Sequence, residues 1–332
     1  MSDDAYAKAG VSQSEADRAV AALVAALGNA AVGDSRQVLA SGHYANVVRL
    51  DERTGIAITT DGVGTKLLVA EQLSRWDTVG IDCVAMNVND VICVGARPLA
   101  MVDYLAVDSA DADVAAAIGA GLARGAELAG IEIVGGELAQ LGELIRGLDL
   151  AGACFGTVPL DGLITGAAIE PGDAVIGFPS TGLHSNGYTL ARRALEGIPL
   201  EDDRLGRPLG EVLLEPTEIY VTPVLELIDS DVDVRGLAHI TSGGLGNLLR
   251  LEADVGYEID SPLPVPPIFE LIAERASVPG DEMHEVFNMG CGFCCVVSAS
   301  DEKAVLEILR AHYPTAQRIG TATAEAGAVT RS

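Results

Sequence analysis

Two domains of the α/β (α+β) class, the second a mixed sheet with packed helices, are what the sequence predicts, and three observations support this. Strand-like and helix-like segments interleave along the whole chain, as in layered α/β or α+β domains. A length of 332 residues with 49% hydrophobic content is enough for two cores of ordinary size. A single turn-rich stretch, LDGLITGAAIEPGD at 160–173, ends in the sharp punctuation Pro171-Gly172-Asp173. The expected division is therefore 1–159, a linker at 160–170, and 171–332.

The first element is an amphipathic helix over 12–27, capped by Ser12, with Ala16, Ala19, Val20, Leu23, Val24 and Leu27 on one face and Gly28 as its stop. Strand-like IAITT (56–60) follows. A helix is expected from about Asp77 to Val94, a strand at LAMVDYLAV (99–107) and an alanine-rich helix from Asp111 to Ala129. IEIVGG and LDLAGACFGTV close this half as strands. The second half restarts with AVIGFPS and alternates helical stretches (187–195, 217–229, 243–251, 266–275, 301–311) with strand-like LAHIT, VGYEI, CCVVSA and QRIGTAT.

With 48 acidic and 21 basic residues, the net charge of −27 repels nucleic-acid phosphates and anionic membranes, and no basic patch offsets it. Neither is expected as a partner. Lysine occurs only at Lys8, Lys66 and Lys303, and such a dispersed acidic, lysine-poor surface suits a salt-rich, halophilic-type cytoplasm. The six cysteines sit in apolar stretches without zinc spacing and read as reduced core residues, the C-x-x-C of Cys291 and Cys294 included. The N-terminus has no signal-like pattern and no window is apolar enough for a membrane span, so a cytoplasmic location is expected.

Five glycine-rich clusters carry candidate chemistry. In TTDGVGTK (59–66), Gly62 and Gly64 let backbone pass close to a ligand, with Thr65 beside them. Asp61 is suited to Mg²⁺ and Lys66 to a phosphate; the competing reading is an ordinary glycine turn. In DCVAMNVNDVICVGARP (82–98), Asn87 and Asp90 fall three apart on one helical face, where hydrated Mg²⁺ would satisfy both; a buried hydrogen-bond network competes, above all for Asn89. IVGGELA (133–139) ends a strand at Gly136 and Glu137, a further metal-directed oxygen. Asp61, Asp90 and Glu137 together describe a Mg-nucleotide site without a Walker motif. GFPSTGLHSNGYTLARR (177–193) brings Ser180, His184, Ser185 and Asn186 to a helix start, where His184 is placed to donate to or accept from a reacting atom. Arg192 and Arg193 are candidate phosphate partners, against the reading that they are merely solvated. In HITSGGLGNLLRL (239–251), Ser242, Gly243 and Gly244 form a possible phosphate cradle with His239 nearby, whereas FNMGCGF (287–293) reads as turn geometry.

The order TDGVGTK, DCVAMNVNDVICVGARPL, GGELA, STGLHSNGYTLARR, LEPTEIYV, HITSGGLGNL, FNMGCGF closely resembles the phosphoribosylformylglycinamidine cyclo-ligase family over almost the whole chain. HSNGY discriminates it from related ATP-using kinases and hydrogenase-maturation dehydratases. The resemblance implies an N-terminal ATP-binding domain whose strands form a barrel-like interface in a homodimer, and a C-terminal domain that completes the cleft. It implies ATP and Mg²⁺ as cofactors and formylglycinamidine ribonucleotide as substrate, closed to 5-aminoimidazole ribonucleotide through a phosphorylated formyl oxygen. It places Asp61, Lys66, Asp90 and Glu137 in the Mg-nucleotide region and His184 with Asn186 beside the substrate, with His184, Lys66 and Asp90 as catalytic residues. Two departures stand out: LASGHYANVV (39–48), with Gly42, His43 and Tyr44, replaces a longer glycine-rich loop, and GGELAQL replaces GGETAEM.

Overall fold

The computed structural model describes residues 13–27, 35–39 and 42–332. Ser12 and Gly28, the expected cap and stop of the first helix, lie outside the described residues; the helix itself, α1, spans Gln13–Leu27.

The first half forms a five-stranded sheet from β1 (Asn46–Arg49), β2 (Thr54–Gly62), β3 (Arg97–Val107), β4 (Glu132–Gln140) and β5 (Leu148–Pro159), in the order β1-β2-β5-β3-β4. Only β3 and β4 run parallel. Besides α1, this half holds, among the described residues, the α-helices α2 (Leu67–Leu73), α3 (Val79–Ile92) and α4 (Ala112–Ala129). Alternation along the strands sends Ala57, Met101, Leu105, Leu150, Cys154 and Val158 to the face covered by helices. The other face presents Ile58, Leu99, Val102, Tyr104 and Phe155, all exposed.

Helix α3 is the central element. Cys83, Val84, Val88, Val91 and Ile92 are fully buried, because the sheet and α4 cover one side and the second half of the chain covers the other. Glycines set its close approach to α4: a Cβ on Gly80 would lie 2.2 Å from the Leu122 nitrogen, and one on Gly121 would lie 2.5 Å from the Asp77 carbonyl oxygen.

The second half forms a six-stranded sheet from β6 (Ala174–Pro179), β7 (Val234–His239), β8 (Gly256–Ile259), β9 (Cys291–Val297), β10 (Gln317–Thr323) and β11 (Val329–Arg331), in the order β11-β8-β10-β6-β9-β7. It is mixed, with β11 parallel to β8 and the other pairs antiparallel. Strand β9 is buried at every position, which explains its unbroken apolar sequence CGFCCVV. Its three cysteines are free thiols, with the Cys291 and Cys294 sulfurs 3.5 Å apart. Around the sheet lie α5 (Tyr188–Ala194), α6 (Leu209–Leu213), α7 (Val221–Ile228), α8 (Pro267–Ala276), α9 (Gly280–Val286) and α10 (Glu302–His312). The stretch expected as a helix over 243–251 is a 3₁₀ helix, Gly244–Arg250, entered through left-handed Gly243. Elements of only a few residues, such as β1, α6 and β11, were not legible as periodicity because they span too few turns or alternations to show one. Among the described residues no helix is long and apolar enough to cross a membrane.

Replacing Gly80 by alanine forces a methyl into backbone of α4. The expected cost is about 1–3 kcal/mol of stability, from overpacking that neither helix can relieve without moving apart. Denaturant unfolding of Gly80→Ala checks it, and an unchanged midpoint would contradict the close crossing.

Candidate functional site

Polar residues of α3 at positions i, i+7 and i+8 share a side of the helix, and that side meets the segment 214–220 and β7 of the second half. Asp82 is fully buried. The Lys66 ammonium lies 2.9 Å from its Oδ1 and 2.8 Å from its Oδ2, with both side chains fully buried. The Thr217 amide and hydroxyl each donate to Oδ1 at 2.7 Å, and the Ser185 hydroxyl lies 2.9 Å from that of Thr217. Lys66 also donates to the carbonyls of Glu215 at 2.6 Å and His184 at 3.2 Å. Burial pulls the Lys66 pKa down, and the Asp82 charge opposes that shift. The Lys66 ammonium, expected at a phosphate, is engaged in this structure by Asp82 of its own half and by two carbonyls of the second half, with no solvent access. Ser185 belongs to the same internal network, not to an open substrate surface.

Asn89 bridges to the same segment, donating to the Glu218 carbonyl at 2.8 Å and accepting from the Tyr220 amide at 3.0 Å. Asn87 faces the opposite way, toward the sheet. Its amide exchanges hydrogen bonds with the Asp61 backbone at 3.0 and 3.1 Å and donates to the Cys83 carbonyl at 2.8 Å. Asn87 and Asp90 therefore do not converge on one ion. Asn87 fixes the end of β2 that carries Asp61.

Asp61 and Asp90 do form an electrostatic pair. Burial, followed by the charge of Asp90, raises the Asp61 carboxyl from 3.8 to about 6, against a hydrogen bond from the Gly62 amide at 2.7 Å. Asp90 accepts from His239 Nδ1 at 2.9 Å, and His239 Nε2 faces the Asn89 amide at 3.5 Å. With both ring nitrogens occupied and the side chain fully buried, His239 is a positioning residue for Asp90, not the substrate contact expected of it.

Glu137 does not join these carboxylates within the chain. In the sheet it aligns with Tyr104, Ala151 and Gly62, three strand spacings or roughly 14 Å from β2. It shares the uncovered face with Tyr104, whereas Asp61 faces the helices. Among the described residues no group of three or more His, Cys, Asp or Glu is arranged to hold a metal, and Glu137 does not complete the expected triad with Asp61 and Asp90. Gly136 has a different task, because a Cβ there would lie 2.3 Å from the Asp103 carboxylate.

His184 sits in the left-handed region at φ +60°, a conformation costly for a residue with a Cβ. Its Nε2 accepts from the Thr181 amide at 3.3 Å, so the neutral ring carries its proton on Nδ1, which has no partner. Burial holds its pKa well below the usual range, aided by the charges of His239 and Lys66. Asn186 accepts from the Ser242 hydroxyl at 3.2 Å, and its buried Nδ2 is also unpartnered. Two donors thus stand unused in HSNGY. Ser180 is internal, donating to Asn288 Oδ1 at 2.9 Å. Gly243 and Gly244 both have positive φ, and a Cβ on Gly244 would lie 2.0 Å from the His284 carbonyl oxygen, so close packing demands that glycine. Thr65 bonds Thr189 across the junction at 3.2 Å, and Gly64 takes φ +68° in open space.

Several residues that build the site escaped the sequence reading. Gly292 is one: a Cβ there would lie 2.1 Å from the Tyr220 hydroxyl and 2.5 Å from His184 Cε1, so FNMGCGF makes room for the His184 ring. Arg250 is another. It stacks on Tyr44 at 4.0 Å and donates to the carbonyls of Gly42 and His43 at 3.1 and 2.9 Å, while the Tyr44 hydroxyl donates to the Asn247 carbonyl at 2.7 Å. The loop that departs from the family pattern is thereby pinned to the second half. An aspartate in the first turn of a mostly apolar helix, as Asp82 is, was the available sign of a buried partner.

Fold and site define a two-part α/β enzyme whose polar cluster lies where its halves meet. The chain matches the family models "AIR synthase related protein, N-terminal domain" over 42–158 and "AIR synthase related protein, C-terminal domain" over 170–331. Phosphoribosylformylglycinamidine cyclo-ligase of Methanothermobacter thermautotrophicus is 55% identical over 283 residues, 83% of each chain; that of Pyrococcus furiosus is 46% identical over 333 residues, 98% of this chain and 96% of its own. The chain belongs to the phosphoribosylformylglycinamidine cyclo-ligase family, and is a ligase. Solved structures share the fold at low identity: a HypE-HypF complex (TM-score 0.64, 19% identity, 87% of this chain and 90% of that one) and a chain titled AaThiL complexed with AMPPCP and TMP (TM-score 0.65, 17% identity, 87% of each).

Asp61 generates a pH prediction. Its folded pKa of about 6 lies above the ordinary 3.8, so the folded state binds that proton more tightly. The stabilisation is complete below about pH 4 and is lost as pH rises through about 6. Asp61→Asn, which stays neutral, is expected to exceed the wild type above that range, by at most about 3 kcal/mol from the pKa difference, with the gap closing in acid. Melting temperatures of both proteins across this range check it; a gap independent of pH would rule out the carboxylate as its source.

Proposed function

We propose that the protein closes the imidazole ring of 5-aminoimidazole ribonucleotide from formylglycinamidine ribonucleotide, consuming ATP and releasing ADP and phosphate. The observation that carries this reading is the pair Asp61 and Asp90, held by Asn87 and His239, with the unpartnered donors of His184 and Asn186 grouped around the same junction. The names of the curated relatives, at 42–55% identity, support the same reaction.

The two carboxylates fit Mg²⁺ in the way nucleotide sites ordinarily hold it, through one or two carboxylates completed by waters and phosphate oxygens. Burial and, after it, the charge of Asp90 lift Asp61, and a divalent cation would offset both. When bound, Mg-ATP supplies the γ-phosphoryl group that makes the formyl oxygen a leaving group. The amidine nitrogen would then attack the formyl carbon, forming the C–N bond as the C–O bond breaks and phosphate departs, with the nitrogen's proton released to solvent. Asp90 binds and orients, and His239 keeps its carboxylate aimed. His184, uncharged because it is buried, serves as a neutral Nδ1–H donor to the reacting oxygen, and Asn186 Nδ2 as a second donor.

Purified protein with ATP, Mg²⁺ and formylglycinamidine ribonucleotide is expected to yield the aminoimidazole product. Asp90→Asn and His184→Ala are each expected to lower kcat by about 100-fold or more, the scale of losing one aligned charge or donor. Near-normal turnover in both folded variants would overturn the assignment.

The uncovered face of the first sheet supports a homodimer. Ile58, Leu99, Val102, Tyr104 and Phe155 form an apolar surface that water disfavours and a second copy would cover. Val102→Asp, which puts a charge at its centre, is expected to convert the dimer to a monomer in light scattering; a dimer of undiminished stability would place the interface elsewhere.

A further inference from the structure

A cavity of about 530 Å³ lies between the two halves, and the proposed chemistry does not use it. Thr65, Val69 and Gln72 line it from the first half, and Thr189, Arg192 and Arg193 from the second. None of Asp61, Asp90, His184 or His239 reaches it. Lys66, adjacent in sequence, is turned away into its pair with Asp82.

Arg192 is the informative residue. The other half-buried arginines are satisfied: Arg235 by Asp173 at 3.0 Å, Arg318 by Asp260 at 2.8 Å, Arg250 by the backbone carbonyls of Gly42 and His43. Arg192, half-buried in a chain with 48 acidic residues, has neither an ion pair nor a hydrogen bond among the described residues. A partly desolvated guanidinium lining an open cleft is stabilised by an anion that enters it. Thr65 and Thr189, one from each half, bring their hydroxyls to 3.2 Å of each other on the same cleft wall; one proton joins the pair and the other is left to donate to a ligand. The remaining wall is apolar, with Leu195, Ile198, Leu209 and Leu213. The Glu196 carboxylate also lines the space and disfavours additional negative charge.

We propose that this cavity binds the phosphate monoester of a ribosyl compound, with Arg192 and the two threonines on the phosphate and the leucine wall against the sugar or base. The volume suits a molecule of that size rather than a bare ion. Glu196 favours one phosphate over a di- or triphosphate chain. Because the ligand touches both halves, its binding ties them together. Two sources share this chemistry: the ribonucleotide substrate itself and a free purine mononucleotide.

Ribose 5-phosphate and adenosine 5′-monophosphate, titrated calorimetrically into the whole protein without ATP, are expected to bind, and ribose without phosphate to bind far more weakly. Arg192→Gln is expected to weaken both phosphate esters by about tenfold or more, the scale of a lost charge-assisted contact, with its ligand-free melting temperature unchanged. Thr189→Val provides an independent reading from the other side of the phosphate. Equal affinity in wild type and both variants, or no saturable binding of either ester, overturns the proposal. In turnover, a tenfold higher KM for the ribonucleotide in Arg192→Gln with the ATP KM unchanged identifies the substrate as the occupant; an unchanged substrate KM with lost mononucleotide binding identifies a separate ligand. The titrations need no turnover, so they stand even where the cyclo-ligase reading fails.

Discussion

The ion pair between Lys66 and Asp82 is the constraint on which the rest of the structure depends. Two opposite charges with no solvent access are tolerated only when geometry and hydrogen bonds are complete, and removing one partner of such a pair costs about 3–5 kcal/mol. Most of the support comes from the other half of the chain: Thr217 supplies two donors to Asp82 Oδ1, and Glu215 and His184 supply carbonyls to Lys66, while Asp82 Oδ2 meets only the Lys66 ammonium. Neither half can satisfy the pair alone. Desolvation thus favours one docking of the two halves, and that docking brings HSNGY against the α3 residues.

The same helix divides its labour by side. Toward the sheet, Asn87 fixes the backbone of Asp61; toward the second half, Asn89 and Asp90 engage Tyr220 and His239. The Asp61 and Asp90 carboxylates therefore arrive from different elements but are positioned by neighbouring turns of one helix. Burial and the charge of Asp90 hold the Asp61 pKa up, and His184 is held as a neutral donor in a strained backbone conformation. Both are costs to stability set beside unused hydrogen-bonding capacity, a combination characteristic of binding sites.

Much of the fold was legible because its main elements are long enough to show their period. β2, β3, β5, α3, α4 and β10 follow the strands and helices anticipated from apolar spacing. The candidate site was legible as motifs but not as contacts. TDGVGTK marked the right loop while suggesting the wrong task for its lysine, since sequence spacing does not reveal that Asp82, sixteen residues away, lies within 2.9 Å of it. GGELA suggested a third metal ligand because a glutamate at a strand end has suitable chemistry; strand order and side-chain alternation place it on the opposite face.

The sequence by itself determined the family, the two-part α/β architecture and the short list of polar residues near a ligand, because these follow from local periodicity and from motifs in a fixed order. Only the tertiary structure decided which of those residues are free to act. Lys66, Asn87, Ser180, Ser185 and His239 are committed to internal partners, whereas His184 Nδ1 and Asn186 Nδ2 are left with hydrogen-bonding capacity. The reason is physical: whether a polar group is available depends on which distant groups share its burial, and that is a property of packing between elements rather than of any one stretch of chain.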